Sequence, residues 1–304
     1  MSPSDRHRLC AVTGPGGFVA GHLLPTLSAR GWPTVPMGRS NVDFRDTEAL
    51  TAWLSRQGVT DIVHLAAESN PAGGDVRAFY EANAFLTERL LEAAVAAELP
   101  GRFLLVSATS VYGDSGDIPQ REDDPKHPPN HYGASKLLAE VFAGWYRDRL
   151  DVTIARPSNC IGAGQNPRYL VPKLVKAFAE RDPEIAMGDT GISRDFVDIR
   201  DAADILARTL SAPARSLAAI NVSSGRATPI AEILETLTRI SGHRPDIRRD
   251  ERFIRKGDMR FQACDNARAR SLGHTPDHEL ADTLAWMLDA VSGAAADPIQ
   301  RRLP

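Results

Sequence analysis

Apolar residues gather along this chain in short unbroken runs set between longer amphipathic stretches. The runs lie at 9–13, 61–67, 102–107, 152–156 and 219–222. Nearly continuous hydrophobicity over so few residues predicts strands buried on both faces, as in a parallel sheet. A weaker run, Thr34-Val-Pro-Met37, predicts one more strand, in which Pro36 cannot donate to a ladder. Between the runs, the spacing of Phe18, Val19, Leu23, Leu24 and Leu27 predicts a helix that reaches Arg30-Gly31. A short helix is expected over 47–57, introduced by Asp43 and Asp46. A long one is expected over 76–99, carrying Phe79, Tyr80, Phe85, Leu86, Leu90 and Leu91, and another over 132–149. Strands alternating with helices at this spacing predict right-handed βαβ units and an α/β fold around a parallel sheet.

From Pro157 onward the alternation loosens. A loop is expected over 158–167, a helix over 169–180, a strand over 184–187, and a segment 194–201 leading into a helix that ends at Leu210. Thr228 followed by Pro229 reads as a cap and first helical residue, opening a helix to Ser241, and a last helix covers 280–291. The stretch 112–129, rich in Gly, Asp and Pro, has no periodic signal, and loops of that length in a compact domain are usually functional. The 304 residues thus divide into a first domain over 1–157, with a returning segment at about 194–222, and a smaller part formed by 158–193 and 223–304.

A net charge of -3 with 25% charged residues describes a surface without the basic stripe that nucleic acid requires. No run is apolar and long enough to span a bilayer, and no secretory signal is recognisable. The three cysteines, Cys10, Cys160 and Cys264, are far apart and lack metal-ligand spacing. The expectation is a cytoplasmic protein with no metal, nucleic-acid or membrane partner.

The candidate chemistry begins in the loop after the first strand. Gly14-x-x-Gly17-x-x-Ala20 turns from strand into helix, presenting bare backbone amides and a positive dipole end to a pyrophosphate. At the end of the second predicted strand stand Gly38 and Arg39, where an acid would select a free 2′-hydroxyl. A cation there favours a 2′-phosphate, hence NADP(H), with NAD(H) the other option. His64, alone in an apolar strand, reads as a satisfied core residue. Tyr132 and Lys136 lie four apart on one helical face, so phenol and ammonium can share a cleft. A nearby cation lowers a phenol's pKa toward the range useful for acid–base work.

Taken in order, Gly14-x-x-Gly17-Phe-Val, His64-Leu-Ala-Ala67, Asn83, Val111-Tyr-Gly113, Tyr132-x-x-x-Lys136, Arg156-Pro-x-Asn159 and Arg194-Asp-Phe-Val-Asp198 resemble the short-chain dehydrogenase/reductase superfamily. The resemblance is to its extended, nucleotide-sugar-modifying branch, the NAD(P)-dependent epimerase/dehydratase family, and covers essentially the whole chain. It implies a Rossmann-type doubly wound sheet with a smaller C-terminal substrate-binding part. Gly14, Gly17, Phe18, Val19, Arg39, Asp43, Leu65, Ala66, Ala67, Asn83 and Pro157 would line the cofactor. Tyr132 would be the acid–base group, and Lys136 would hold the nicotinamide ribose. A nucleoside-diphosphate sugar would meet Ser107, Asn159, Arg194 and Arg255, and the protein would form a homodimer through its helices.

Relatives carry a Ser or Thr four residues before the Tyr of Val-Tyr-Gly; here that position is Ala108, which leaves Ser107 or Thr109 to supply the hydroxyl. The acid that 4,6-dehydratases carry just before that turn is replaced by Thr109-Ser110, which argues against dehydration. The pattern most resembles GDP-4-keto-6-deoxymannose reductases and implies NADPH-dependent reduction at C4. A 4-epimerase with tightly held NAD and a non-catalytic cofactor-binding protein are the alternatives.

Overall fold

The structure, a computed structural model, describes residues 8–69, 75–114, 116–253 and 259–293. In chain order its first half runs β1 (Cys10–Thr13), α1 (Phe18–Ala29), β2 (Thr34–Met37), α2 (Thr47–Gln57), β3 (Asp61–His64), α3 (Val76–Phe79), α4 (Leu86–Ala96), β4 (Arg102–Val106), α5 (His131–Trp145) and β5 (Asp151–Pro157). There follow β6 (Asn159–Ile161), α6 (Leu170–Ala179), β7 (Glu184–Met187), β8 (Ser193–Asp198), α7 (Ile199–Ser211), β9 (Ala219–Val222), β10 (Ala227–Pro229), α8 (Ile230–Ser241), β11 (Asp246–Arg249), α9 (Ala267–Ser271) and α10 (Leu280–Ser292).

Six parallel strands form the main sheet in the order β2-β1-β3-β4-β5-β9. Every residue of β1, β3, β4 and β9 is buried, which is why these strands read as unbroken apolar runs. Pro36 is tolerated because β2 is the edge strand and needs no donor on its outer side. One face is covered by α2, α4 and α5, through Leu50, Trp53, Leu90, Leu91, Ala139 and Phe142. The other is covered by α1 and α7, through Leu23, Leu27, Ile205 and Leu206. This is the Rossmann-type doubly wound arrangement. A separate core of α6, α8 and α10 (Leu174, Phe178, Ile233, Leu237, Leu284) builds the C-terminal part.

Several elements depart from the sequence expectation, each for a local reason. The third strand stops at His64 because the backbone of Leu65 and Ala66 turns to a side chain, as described below. The long helix is broken by a π-helical turn over Tyr80–Phe85, which inserts a residue without disturbing the apolar stripe on either side. Within the expected loop 158–167, Asn159–Ile161 pair with β8 in a small sheet ordered β10-β8-β6. Thr228 is not a cap. It pairs with Arg194 in β10, so Pro229 is the cap position and the helix begins at Ile230. Among the described residues no helix is long and apolar enough to cross a membrane, and no group of His, Cys, Asp or Glu could hold a metal ion.

Candidate active site

The chain leaves β1 for β2 on one side, then returns to β3 on the other. The crevice at this reversal, beyond the carboxyl ends of β1 and β3, is where doubly wound sheets bind ligands. Two backbone segments wall it. In the glycine loop, Gly14 adopts φ +63°, and a Cβ there would stand 3.0 Å from Ala66 Cα; only glycine lets the loop lie so close to the segment after β3. A Cβ on Gly16 would meet nothing within 4 Å, and Gly17 caps α1 with no side-chain bond and no acid in the first turn. The amides around Phe18 and Val19 are therefore open to an anion, the chemistry a dinucleotide pyrophosphate needs.

The opposite wall is held by a buried polar chain. Thr13 Oγ1 accepts from the amides of Leu65 and Ala66, both at 3.0 Å, so its proton goes to His64 Nδ1 at 2.8 Å. His64 Nε2 then donates to Thr87 Oγ1 at 3.1 Å, and Thr87 donates to the Asn83 carbonyl at 2.6 Å. The Asn83 side chain exchanges bonds with the Glu68 amide and carbonyl (2.8 and 2.9 Å) and donates to Ser135 Oγ. The wall carrying Leu65, Ala66 and Ala67 is fixed by these bonds, with Asn83, in the π-helical turn, as a strut.

Burial holds the His64 imidazole neutral, with a pKa near 3 against the usual 6.5. The fold cannot accept the proton that the unfolded chain takes up below pH 6.5, so stability falls from there down to about pH 3. Denaturant unfolding between pH 6 and 4 is expected to show the parent losing up to about 1.4 kcal/mol per pH unit more than His64→Gln. Parallel slopes would contradict this.

The reactive pair comes from α5. Asn130 caps it by accepting from the Gly133 amide, and a Cβ at Gly133 would lie 2.7 Å from the Ser110 carbonyl. The first turn of α5 is thus pressed directly against the 3₁₀ turn Thr109–Val111 that follows β4. The Tyr132 ring packs edge-on to Phe79, and its hydroxyl bonds to no described residue. Burial raises the phenol's pKa, and Tyr169 and Cys160 reinforce this. One turn on, buried Lys136 donates from Nζ to the Val106 carbonyl at 3.0 Å. Burial lowers its pKa to about 8, against the pull of Glu140. In this arrangement desolvation governs the phenol, where the spacing alone suggested control by the lysine. Burial pushes the Cys160 thiol up to about 12.

A model of the NAD dependent epimerase/dehydratase family matches residues 10–223. The chain belongs to that family. It is 32% identical to GDP-6-deoxy-D-talose 4-dehydrogenase of Aggregatibacter actinomycetemcomitans over 255 residues, 82% of this chain and 85% of the relative. It is 29% identical to GDP-6-deoxy-D-mannose reductase of Pseudomonas aeruginosa, over 91% of this chain and 95% of the relative. The solved structure of RMD from Pseudomonas aeruginosa complexed with NADPH superposes with a TM-score of 0.85 at 28% identity, covering 95% and 100% of the two chains. This family member is a nucleotide-sugar-modifying, NAD(P)-binding enzyme.

The other candidate residues of this family member fall as follows. Arg39 is exposed at the end of β2, in a turn that Asn41 holds by accepting from the Gly38 amide and donating to the Pro36 carbonyl. The Asp43 carboxylate is taken up by Arg45, whose amide and guanidinium hold its pKa below the usual value. Pro157 ends β5 beside Val222. Ser107 is buried at the end of β4 with an Oγ that finds no partner among the described residues, an orphan polar atom of the kind a bound ligand satisfies. Asn159 is exposed on β6 and donates to the Asp195 carbonyl, while Arg194 donates to the Ser193 carbonyl. Arg255 lies outside the described residues.

Two further residues have roles the sequence did not mark, although Asp195 lies inside the Arg194–Asp198 motif. The fully buried Asp195 carboxylate gathers Ser158, Ser224, Gly225 and Cys264, tying β5 and β9 to the C-terminal part. Buried Gln262 reaches both Thr109 and Asn159. Only contacts distant in sequence define either role.

Proposed function

We propose that this protein is an NADPH-dependent 4-ketoreductase of a nucleoside-diphosphate 4-keto-6-deoxyhexose. The reading is carried by the half-buried Tyr132, one turn from Lys136, whose hydroxyl bonds to no described residue, in a chain whose 107–111 turn holds no carboxylate. The two relatives named above support it, since both are named for oxidoreduction of GDP-6-deoxy sugars.

Bound NADPH supplies the hydride. Tyr132 holds a proton for the C4 oxygen, and its raised pKa suits donation of that proton. Lys136, with only one of its ammonium protons committed to Val106, has donors left for a ribose. The amides at the start of α1 would hold the pyrophosphate, and exposed Arg39 would meet a 2′-phosphate. Asn159, Arg194 and Ser107 would line the sugar nucleotide, and the wall at Leu65–Ala67, fixed by Thr13 and Asn83, would lie along the cofactor.

A screen of nucleoside-diphosphate 4-keto-6-deoxy sugars against NADPH and NADH tests the proposal. The expected result is multiple-turnover oxidation, faster with NADPH, on at least one of them. Protein that retains NAD through purification and interconverts C4 epimers without net oxidation would instead be an epimerase.

The assembly we propose is a homodimer through the outer face of α3–α5. Trp145 is 63% exposed there, Val76, Phe85 and Val141 are also exposed, and the Trp145 ring packs tilted against Phe142 with centroids 5.2 Å apart. Light scattering at micromolar concentration should give twice the 33.0 kDa chain mass, and Trp145→Glu should give the single mass. A monomeric parent would contradict it.

A further inference from the structure

Ala108 removes the hydroxyl from the turn beside Tyr132, and the next residue of that turn, Thr109, is held in a buried hydrogen-bond chain. The main-chain carbonyl of Asp195 can only accept, so the side-chain nitrogen of Asn159, 2.9 Å away, must face it. That same Nδ2 lies 3.4 Å from Gln262 Oε1, which fixes the direction of the Gln262 amide. Gln262 Nε2 then donates to Thr109 Oγ1 at 3.2 Å. Asn159 Nδ2 thus donates to both Asp195 and Gln262, and from Asn159 through Gln262 to Thr109 every link donates the same way. With a donor already pointed at its oxygen, Thr109 keeps its own proton to give, and no described residue accepts it. Both Gln262 (4% exposed) and Thr109 (3% exposed) are buried, and the Thr109 turn abuts the first turn of α5, where Tyr132 sits.

We propose that Gln262 is a positioning residue that orients the Thr109 hydroxyl as a proton-bearing donor to the reacting sugar oxygen, in place of the hydroxyl missing at Ala108. The inference rests on the ketoreductase reading. The same amide holds Asn159 with its nitrogen inward, which leaves Asn159 Oδ1 as the atom offered to a ligand.

The polarity of the relay gives a signature that a packing role lacks. Gln262→Glu keeps the shape but turns the donor at Thr109 into an acceptor, so the Thr109 proton is drawn away from the substrate. Gln262→Leu removes the link without reversing it. Steady-state kinetics should show kcat about a hundredfold lower for Thr109→Val, the scale of losing one donor to a developing oxyanion. Gln262→Glu should approach that loss and Gln262→Leu should fall less. KM for the sugar nucleotide and cofactor affinity of Gln262→Glu should stay near the parent's, while its unfolding midpoint falls because the new carboxylate is buried without a cation; activities are therefore compared at a temperature where all variants are folded. Combining Gln262→Glu with Thr109→Val should cost no more than Thr109→Val alone, because both act through one hydroxyl. An active parent whose kcat survives Gln262→Glu or Thr109→Val within twofold overturns the inference alone. A parent that reduces no 4-keto sugar overturns the ketoreductase reading and this inference with it.

Discussion

Tyr132→Phe should lower kcat by about a hundred- to ten-thousandfold while leaving NADPH affinity nearly unchanged. The substitution removes one oxygen. The ring keeps its edge contact with Phe79, and because the hydroxyl bonds to no described residue, no protein partner is orphaned. The loss is therefore confined to proton delivery, roughly 3–5 kcal/mol of barrier at 1.36 kcal/mol per tenfold. Lys136→Ala should differ in kind. It removes the donor to the Val106 carbonyl together with the donors proposed for the ribose, so cofactor affinity and turnover should fall together. Single-turnover rates and fluorescence titration with NADPH separate the two. A Tyr132→Phe protein as active as the parent would mean that the proton comes from elsewhere.

The largest stability effect should come from beneath the site. Arg156 on β5 grips Glu140 on α5 through two bonds, 2.9 Å from Nε and 2.7 Å from Nη2, with both side chains 5% exposed. Its remaining nitrogen bonds the Tyr112 hydroxyl and the Glu122 carbonyl, and Tyr112 passes its proton to Asn221. Glu140→Leu would leave a guanidinium buried with no carboxylate beside it, which typically costs about 3–5 kcal/mol. Replacing both charges, Glu140→Leu with Arg156→Met, should recover much of that loss, since the penalty belongs to the unpaired ion. Urea unfolding of the two proteins tests the pair. Equal midpoints for single and double variants would show that the ion pair is not what holds α5 to β5.

What could be read from the sequence depended on how local the determining contacts were. Parallel strands buried on both faces announce themselves as apolar runs, and β2, α2, β7 and β9 begin and end at the expected residues. Tyr132 and Lys136 were legible because helical spacing alone places them on one face. The three-residue strands β6 and β10 exist only because β8 pairs with them, and three residues carry no periodicity. The π-helical turn is silent for the opposite reason, since an inserted residue leaves both flanking stripes intact. Thr228-Pro229 carried a sound local signal for a helix cap, and a distant partner, Arg194, overrode it by drawing Thr228 into a ladder. Gln262 is one polar residue among many until Thr109 and Asn159 are brought to it across 153 and 103 positions of chain.

The proposed reaction is net reduction at C4 with the proton supplied by Tyr132. The measurement that meets it most directly is turnover of a nucleoside-diphosphate 4-keto-6-deoxyhexose with NADPH deuterated at the transferable position of the nicotinamide. The expected product carries one deuterium on carbon 4, with one NADP⁺ released per sugar reduced. Product lacking deuterium at C4, with the two C4 epimers interconverting and no NADPH consumed, would contradict it.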